Sequence, residues 1–481
     1  MIEDIADRKL DVDLLARELG NWRTAGASGP AYLGLADGLR LLVIDGRVPV
    51  GAQLPSERAL SDALHVSRTT VTAAYTQLRE DGYLRARRGA RSTTALPTTP
   101  TTAGHPRGDT VSLAEAALSA PAAATLEAFG QAVHDATPYL HDIGIELAGV
   151  PELRRAIAER YCARGLPTDP DEVMVTSGAL HAIGLVLATY TQPGDRVLVE
   201  QPTYHGALSA ISASGARPVP VAMTADGWEL DAVHAALRQL NPSLAYLVPD
   251  NQNPTGLCMS SDDRKALAHI ISETRTRTII DETISDIWLD EPPPPPPLAS
   301  YLSTRKDLVI TIGSVSKSFW GGLRIGWIRA ERSTLATIAA VRPAVDMGTA
   351  IVDQLAAARL LDRADELLPE RRELLRRRRE LLKSLLREHL PDWTPNQGGG
   401  GMTLWIQLPA PMSSALSAAS SRLGLAIPAG PRFGVDGTLE RFIRVPYTLP
   451  ENRLREAIEL LARAWHSVTG VSAPQAHSLV V

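Results

Sequence analysis

The sequence predicts a two-part α/β protein: a small helical head closed by a basic hairpin, then a large body on a mostly parallel sheet. Three observations lead there. Short apolar runs alternate with helical segments from about residue 173 to 312. A Thr/Pro-rich break, residues 92–110, separates that region from what precedes it. Ahead of the break, the stretch Arg40–Ala95 carries nine arginines against five acids, although the whole chain has a net charge of −5.

The chain of 481 residues is long enough to bury large cores, and a hydrophobic fraction of 44% with 21% charged residues fits a globular protein. Two cysteines, Cys162 and Cys258, exclude a disulfide scaffold and a cysteine-rich zinc module, and no metal site is expected. The acidic start MIEDIADRKL lacks an apolar h-region, and no apolar run is long enough to span a bilayer. The expectation is a cytoplasmic protein with no membrane partner.

In the head, LADGLRLLVIDG reads as a helix ending at Gly46. Pro55-Ser56-Glu57-Arg58 opens a second, running to about Leu64. Ser67 caps a third, with Val71, Ala74, Tyr75 and Leu78 at helical spacing. The turn Asp81-Gly82 leads into Tyr83-Leu84 and a basic tip, Arg85–Arg91. Two helices joined by a short turn and followed by a basic hairpin make a winged helix-turn-helix plan. Arg68, Thr69 and Thr70 fall in the first turn of the recognition helix, where side chains reach base edges. Arg58 and the wing residues Arg87, Arg88 and Gly89 suit phosphates or the minor groove of double-stranded DNA.

Past the break, with the linker set at residues 96–111, the body runs over 112–467, and the head over 12–95. Strands are expected at Val173–Val175, Val197–Val199, Ala245–Val248, Thr278–Ile280 and Val309–Ile312, with helices between them. Six prolines, Pro292–Pro297, read as a surface loop. A long amphipathic helix, about Glu366–Leu390, leads to a smaller region with strands near Met402–Ile406 and Phe442–Val445.

Chemistry concentrates in Gly313-Ser314-Val315-Ser316-Lys317-Ser318-Phe319-Trp320-Gly321-Gly322-Leu323-Arg324. A buried strand delivers a lysine flanked by hydroxyls, and an arginine follows seven residues on. An amine can form a Schiff base with an aldehyde, and hydroxyls with an arginine can hold a phosphate dianion. Those needs describe pyridoxal 5′-phosphate (PLP). The chain has only five lysines, so Lys317 stands out. Asp281, at a strand's C-terminal end, suits the protonated pyridine nitrogen. Asn253, in the turn Asn253-Pro254-Thr255-Gly256, can donate to the ring's phenolic oxygen. Ser177, Gly178 and Ala179 lie between a strand and a helix, where backbone N–H groups face a phosphate. Tyr204 can stack on the ring or pack in the core. Arg444 can clamp a carboxylate or form a surface salt bridge.

These motifs, in this order, resemble a fold-type I PLP-dependent aminotransferase. The resemblance implies that Lys317 forms the Schiff base and is the catalytic residue, that Asp281 partners the pyridine nitrogen and that Asn253 bonds the phenolic oxygen. It implies that Tyr204 stacks, that Ser177, Gly178, Ala179, Ser314 and Arg324 hold the phosphate, and that Arg444 takes a substrate or effector carboxylate. The segments Gly51–Arg58, Val66–Val71 and Asp81–Leu84 resemble the GntR family of winged-helix regulators, which adds Ser67 to the DNA-binding set. Head, linker and body together resemble the MocR subfamily of transcriptional regulators. That implies a head-to-tail homodimer that binds an operator and senses PLP, an amino acid or an amine.

Three departures matter. Ile284 stands where relatives carry a tyrosine three residues after the aspartate. Gly144–Gly149 lacks the aromatic residues usual there. Gly89-Ala90-Arg91-Ser92 lacks the wing's second glycine. The first two remove polar contacts around the cofactor. The expectation is a regulator with weak or absent transaminase activity; the alternative is a working aminotransferase with an accessory DNA-binding head.

Overall fold

The computed structural model describes residues 9–20, 22–23, 30–44, 47–85, 92–95, 110–302 and 304–470. The chain forms two compact units. One joins residues 1–115 to 381–395 and 405–481; the other holds 116–380 and 396–404.

The first unit begins with four helices, α1 (Val12–Leu19), α2 (Ala31–Ile44), α3 (Glu57–Leu64) and α4 (Arg68–Glu80). Local chemistry sets the ends of the last two. Ser56 Oγ accepts from the Ala59 N–H at the start of α3, and His65 ends it at a φ of 52°. Ser67 Oγ accepts from the Thr70 N–H and opens α4. Each serine satisfies an N–H that the helix cannot, worth about 1 kcal/mol. Leu35, Leu39, Leu42, Leu60, Val71, Ala74, Tyr75 and Leu78 close one core, and the Tyr75 hydroxyl donates to the Pro55 carbonyl at 3.0 Å. The helices expected from the sequence are therefore present, with the first starting earlier, at Ala31; its expected end, Gly46, lies outside the described residues.

Strands β1 (Leu84–Arg85) and β2 (Thr93–Thr94) pair antiparallel as the stem of the hairpin. Residues 92–95 open the Thr/Pro-rich break yet fall inside the head as bounded from the sequence, 12–95. They belong to the stem because Thr94 is buried and its hydroxyl donates to the Pro49 carbonyl at 2.6 Å. The tip, with Arg87, Arg88 and Gly89, lies outside the described residues, as does most of the linker.

The second unit carries a seven-stranded sheet. After β3 (Val111–Ser112) the strands are β4 (Val173–Thr176), β5 (Arg196–Gln201), β6 (Arg217–Ala222), β7 (Leu244–Leu247), β8 (Thr278–Asp281), β9 (Val309–Ser314) and β10 (Gly326–Arg329). Their order is β4-β10-β9-β8-β7-β5-β6. Only β10 runs antiparallel, to both β4 and β9. Strands β4, β7, β8 and β9 are buried along their whole length. That explains their continuous apolar runs, since helices cover both faces. β6 was not expected. It reads RPVPVA, and its prolines are tolerated because it is an edge strand with β5 as its single neighbour. β10 is short and equally unmarked. In its register Trp327 faces Gly313, where a Cβ would sit 2.3 Å from the indole. Only glycine fits there.

The helix Ala364–His389 leads back to the first unit, close to the expected bounds. There β11 (Thr394–Pro395), β12 (Thr403–Gln407) and β14 (Phe442–Pro446) form a small sheet, and β13 (Leu425–Ala426) pairs parallel with β3. The last residue of the expected linker, Val111, is thus already in a strand. Helices Ser413–Arg422 and Glu451–Thr469 pack together beside it. Within this unit the head touches the small region directly. Arg422 Nη1 donates to Asp37 on α2 at 2.6 Å. A Cβ on Gly437 would meet the Arg17 carbonyl at 2.3 Å, so α1 approaches that loop closely.

Candidate functional site

The DNA-facing candidates lie on the turn between α3 and α4. Ser67, Arg68 and Thr69 are exposed and Thr70 half-buried. The Ser67 hydroxyl caps α4 and is within 2.8 Å of both Thr69 Oγ1 and Thr70 Oγ1. Its side chain thus serves the helix start and fixes the two threonines. The Arg68 side chain is 72% exposed, with Nε 3.9 Å from the Glu57 carboxylate. A pair this open in water is weak. Arg58 is also exposed, one residue into α3.

The cofactor candidates of the body gather at the C-terminal ends of the parallel strands, where open α/β sheets bind ligands. Lys317 follows β9 in the short helix Val315–Ser318, and its Nζ donates to the Ala116 carbonyl at 2.7 Å. Ser314 ends β9. Its hydroxyl donates to the Ile325 carbonyl at 2.8 Å, accepts from the Ser316 N–H at 3.1 Å and lies 2.9 Å from Ser316 Oγ. It fixes the lysine's short helix and ties it to the segment after Arg324.

Ser177 and Gly178 lie between β4 and the twelve-residue helix Ala179–Tyr190, with Gly178 at a φ of 96°. A Cβ on Gly178 would sit 2.8 Å from Arg324 Nη2, which itself donates to the Ser177 carbonyl at 3.3 Å. A Cβ on Gly326 would meet the Ala179 nitrogen at 2.7 Å. The glycines therefore let the backbone and a guanidinium converge at a helix N-terminus, an arrangement suited to a phosphate. Ser177 Oγ is 3.3 Å from Thr349 Oγ1, and the Ser177 N–H donates to His181 Nδ1 at 3.0 Å. Burial holds His181 below the usual imidazole range, partly offset by Asp346.

Tyr204 is the N-cap of helix His205–Ala213, and its ring covers Gly206, where a Cβ would lie 2.4 Å from the phenol carbon. Asn253 sits in the turn after β7, and Asp281 ends β8, 5% exposed. Three buried side-chain atoms, Thr203 Oγ1, Asn253 Oδ1 and Thr283 Oγ1, have no hydrogen-bond partner among the described residues. They follow the neighbouring strands β5, β7 and β8. Buried polar atoms of a folded chain normally find partners, so this row fits a polar cofactor such as PLP.

Several residues that support the site carry no motif of their own. Glu200 is buried at the end of β5 and accepts from Trp228 Nε1 at 2.6 Å, Gln252 Nε2 at 2.8 Å and the Val248 N–H at 3.2 Å. Burial pushes its carboxyl up to about 8. Gln252 also donates to the Pro202 carbonyl and accepts from Thr255, tying the Tyr204 loop to the Asn253 turn. Tyr246 on β7 donates to Asp281 Oδ2 at 2.7 Å. In the sequence Glu200 and Tyr246 show only as polar residues in otherwise apolar strands, and Gln252 only as one polar residue in the turn PDNQNPTG.

Ile284, in the turn after β8, is buried, and its carbonyl accepts from Asn251 Nδ2 at 2.9 Å. Arg444 belongs to the first unit, on β14. It is 2% exposed, donates to the Ala114 carbonyl and lies over the Phe433 ring at 4.8 Å. It is not a surface salt bridge.

Comparison with known proteins agrees with this geometry. Residues 112–461 match the family of aminotransferases of class I and II, and residues 31–93 match the gntR family of bacterial regulatory proteins. The chain is 26% identical over 375 residues to the HTH-type transcriptional regulator YisV of Bacillus subtilis, covering 72% of this chain and 77% of that one. It is 27% identical over 416 residues to the probable rhizopine catabolism regulatory protein MocR of Rhizobium meliloti, covering 79% and 82%. Among solved structures it resembles LysN, an α-aminoadipate aminotransferase from Thermus thermophilus complexed with N-(5′-phosphopyridoxyl)-L-leucine. The TM-score is 0.69 at 25% identity, over 76% of this chain and 94% of that one. The two family matches together give a DNA-binding head joined to a PLP-type body, and the chain belongs to the aminotransferase class I and II family as a MocR/GntR-type regulator with pyridoxal phosphate as its cofactor.

Proposed function

We propose that the regulator senses an amino acid or amine through its PLP site and reports the result by changing its affinity for an operator. The observation that carries this reading is the pairing of two kinds of site in one chain. Lys317, Asp281, Asn253 and the Gly178–Arg324 cradle share one edge of the body's sheet, while Arg68 and Thr69 stand exposed on the head.

Bound PLP supplies an aldehyde and an electron-withdrawing ring. Lys317 offers the amine that holds it covalently. Asp281 keeps a proton at the ring nitrogen, and Asn253 turns its amide to the phenolic oxygen. The Ser177 hydroxyl and the N–H groups of Gly178 and Ala179, with the Arg324 charge, would hold the phosphate, and Ser314 braces the lysine's helix. Tyr204 covers a ring face. Arg444 takes the effector's carboxylate, for which its fixed guanidinium offers a bidentate pair. With Ile284 in place of a hydroxyl donor, Asn253 has one partner fewer in controlling the phenolic oxygen. The missing bond is worth about 0.5–1.5 kcal/mol, which weakens control of proton transfer more than binding. That favours sensing over turnover.

The contacts within the first unit support a route to the head. Glu440, four residues before Arg444, accepts from the Ser414 N–H at the start of helix Ser413–Arg422. The other end of that helix holds Asp37 of the head. An effector that binds two arrangements of this region unequally shifts the head between them.

The reading includes a head-to-tail homodimer in the cytoplasm. Leu140, Ile143, Val345 and Met347 are exposed in the second unit, and the segments that carry them adjoin, since a Cβ on Gly348 would lie 3.0 Å from the Glu146 carbonyl. Exposed apolar side chains on adjoining segments suit such an interface. Among the described residues no helix is long and apolar enough to cross a membrane.

The test is a mobility-shift titration on the PLP-loaded protein with a panel of amino acids and amines, alongside keto-acid analysis. At least one ligand should change operator affinity while product forms slowly or not at all. Turnover at about 1 per second or faster, with affinity indifferent to every ligand, would favour the enzyme instead.

DNA recognition gives a second expectation. Arg68→Ala should weaken operator binding by about 1–3 kcal/mol, the value of a good base contact, and leave nonspecific binding nearly intact. Arg87→Ala, on the wing, should lower affinity for all sequences and flatten its salt dependence. Unchanged operator affinity for Arg68→Ala would remove the recognition assignment from the start of α4.

A further inference from the structure

We infer that Tyr246 is the positioning residue for Asp281, fixing the carboxylate through which the site holds a proton on the cofactor's ring nitrogen. The inference rests on the assignment of Asp281 to that nitrogen.

The sheet register brings the two together. β7 and β8 run parallel with Tyr246 opposite Ile279, so Tyr246 and Asp281, two residues further along β8, share a face. The phenol spans that offset and donates to Asp281 Oδ2 at 2.7 Å. The Thr283 N–H donates to Oδ1 at 2.9 Å. Each carboxylate oxygen is thus held from a different element, and the torsion of the carboxylate is set. One lone pair on each oxygen is left for a further donor.

Tyr246 is 1% exposed, and its phenol is the donor of this bond. Burial and the Asp281 charge both hold it well above the usual phenol range, and Glu200 and Tyr204 act in the same direction. Glu200 is itself buried and pushed up to about 8, so near neutral pH it adds little negative charge beside Asp281.

The two donors fix the direction in which the carboxylate can accept. They hold both oxygens in one orientation, ready to pair with the N–H of the ring nitrogen. Without the phenol hydroxyl the carboxylate is free to turn, and that pairing would weaken. The ring then withdraws fewer electrons from the Lys317 nitrogen, and the proton at that nitrogen is held to higher pH.

The experiment compares the full chain with Tyr246→Phe, Asp281→Asn and the double variant, each loaded with PLP. The visible absorbance is titrated with pH and the PLP dissociation constant is measured. Tyr246→Phe keeps the packing, since it removes one oxygen. The expected result is a rise of the absorbance midpoint by about 0.3–1 pH unit and PLP binding about 2- to 10-fold weaker. Asp281→Asn should give the larger change. The double variant should go no further than Asp281→Asn, because the tyrosine acts through the aspartate. A midpoint unchanged by Tyr246→Phe, while Asp281→Asn moves it, overturns the positioning role. So does a double variant whose shifts simply add. If Asp281→Asn changes neither quantity, the assignment of Asp281 to the ring nitrogen is wrong, and the role of Tyr246 goes with it.

Discussion

Lys317→Ala is expected to abolish the visible absorbance of covalently held PLP while the fold survives. The amine lies on the short helix after β9 and makes its hydrogen bond to the Ala116 carbonyl. Losing a hydrogen bond of this kind costs about 0.5–1.5 kcal/mol. The strand that delivers the lysine stands on other contacts. β9 is buried from Val309 to Ser314 and paired on both sides. Ser314 and Ser316 brace the helix without the lysine. The spectroscopic loss should therefore be complete and the change in thermal midpoint small. PLP should still bind to the phosphate cradle of Gly178 and Arg324, but reversibly, and dialysis should remove it. The check is a spectrum before and after dialysis, with a melting curve on the same sample. A retained band would move the covalent link to one of the four other lysines, Lys9, Lys265, Lys306 or Lys383.

As the candidate for the covalent link, Lys317 was legible in the sequence because covalent chemistry admits few residue types and the glycines around it leave a pattern. The same holds for Asp281, Asn253 and the Ser177–Ala179 turn, each fixed to a strand end. The four buried strands, the head helices and the long helix were legible for a related reason: burial on two faces or one leaves a period that composition cannot hide. Other features left no such trace. β6 carries prolines because its outer edge needs no donor, and the same prolines disguise it as a loop. β2 opens the Thr/Pro-rich break and carries no strand signal of its own, since two threonines are enough for a strand only when Leu84 and Arg85 lie opposite. Tyr246 reads as one more apolar residue in LAYL. Its hydroxyl acquires meaning only through the register that sets β7 beside β8. Arg444 looked as much like a surface charge as a ligand clamp until its burial and its place over Phe433 were known.

The largest effect on stability should come from Arg264→Ala. Arg264 lies on helix Ser261–Thr274, and its side chain and that of Asp250 are both fully buried. Its guanidinium pairs with Asp250, donates from Nε to the Met259 carbonyl at 3.1 Å and from Nη1 to the Pro296 carbonyl at 3.2 Å. Asp250 and Met259 bracket the loop that carries Asn253, so the arginine clamps both ends of it. Burying an ion pair is itself close to neutral against an apolar substitute, but removing one partner strands the other. Here Asp250 keeps a second cation, Arg164, whose Nη2 lies 3.1 Å away. The loss should therefore fall near the lower end of the range for a broken buried pair, about 3 kcal/mol. Arg264→Met with Asp250→Asn removes both charges while filling the space, and should recover part of that loss. PLP affinity should follow the loop: weakened in Arg264→Ala, because the Asn253 turn is no longer clamped, and partly regained in the pair. Chemical denaturation and PLP titration of the three proteins measure both quantities. An Arg264→Ala protein as stable as the parent would mean that Arg164 alone compensates Asp250, and that helix Ser261–Thr274 holds the Asn253 loop by packing rather than by charge.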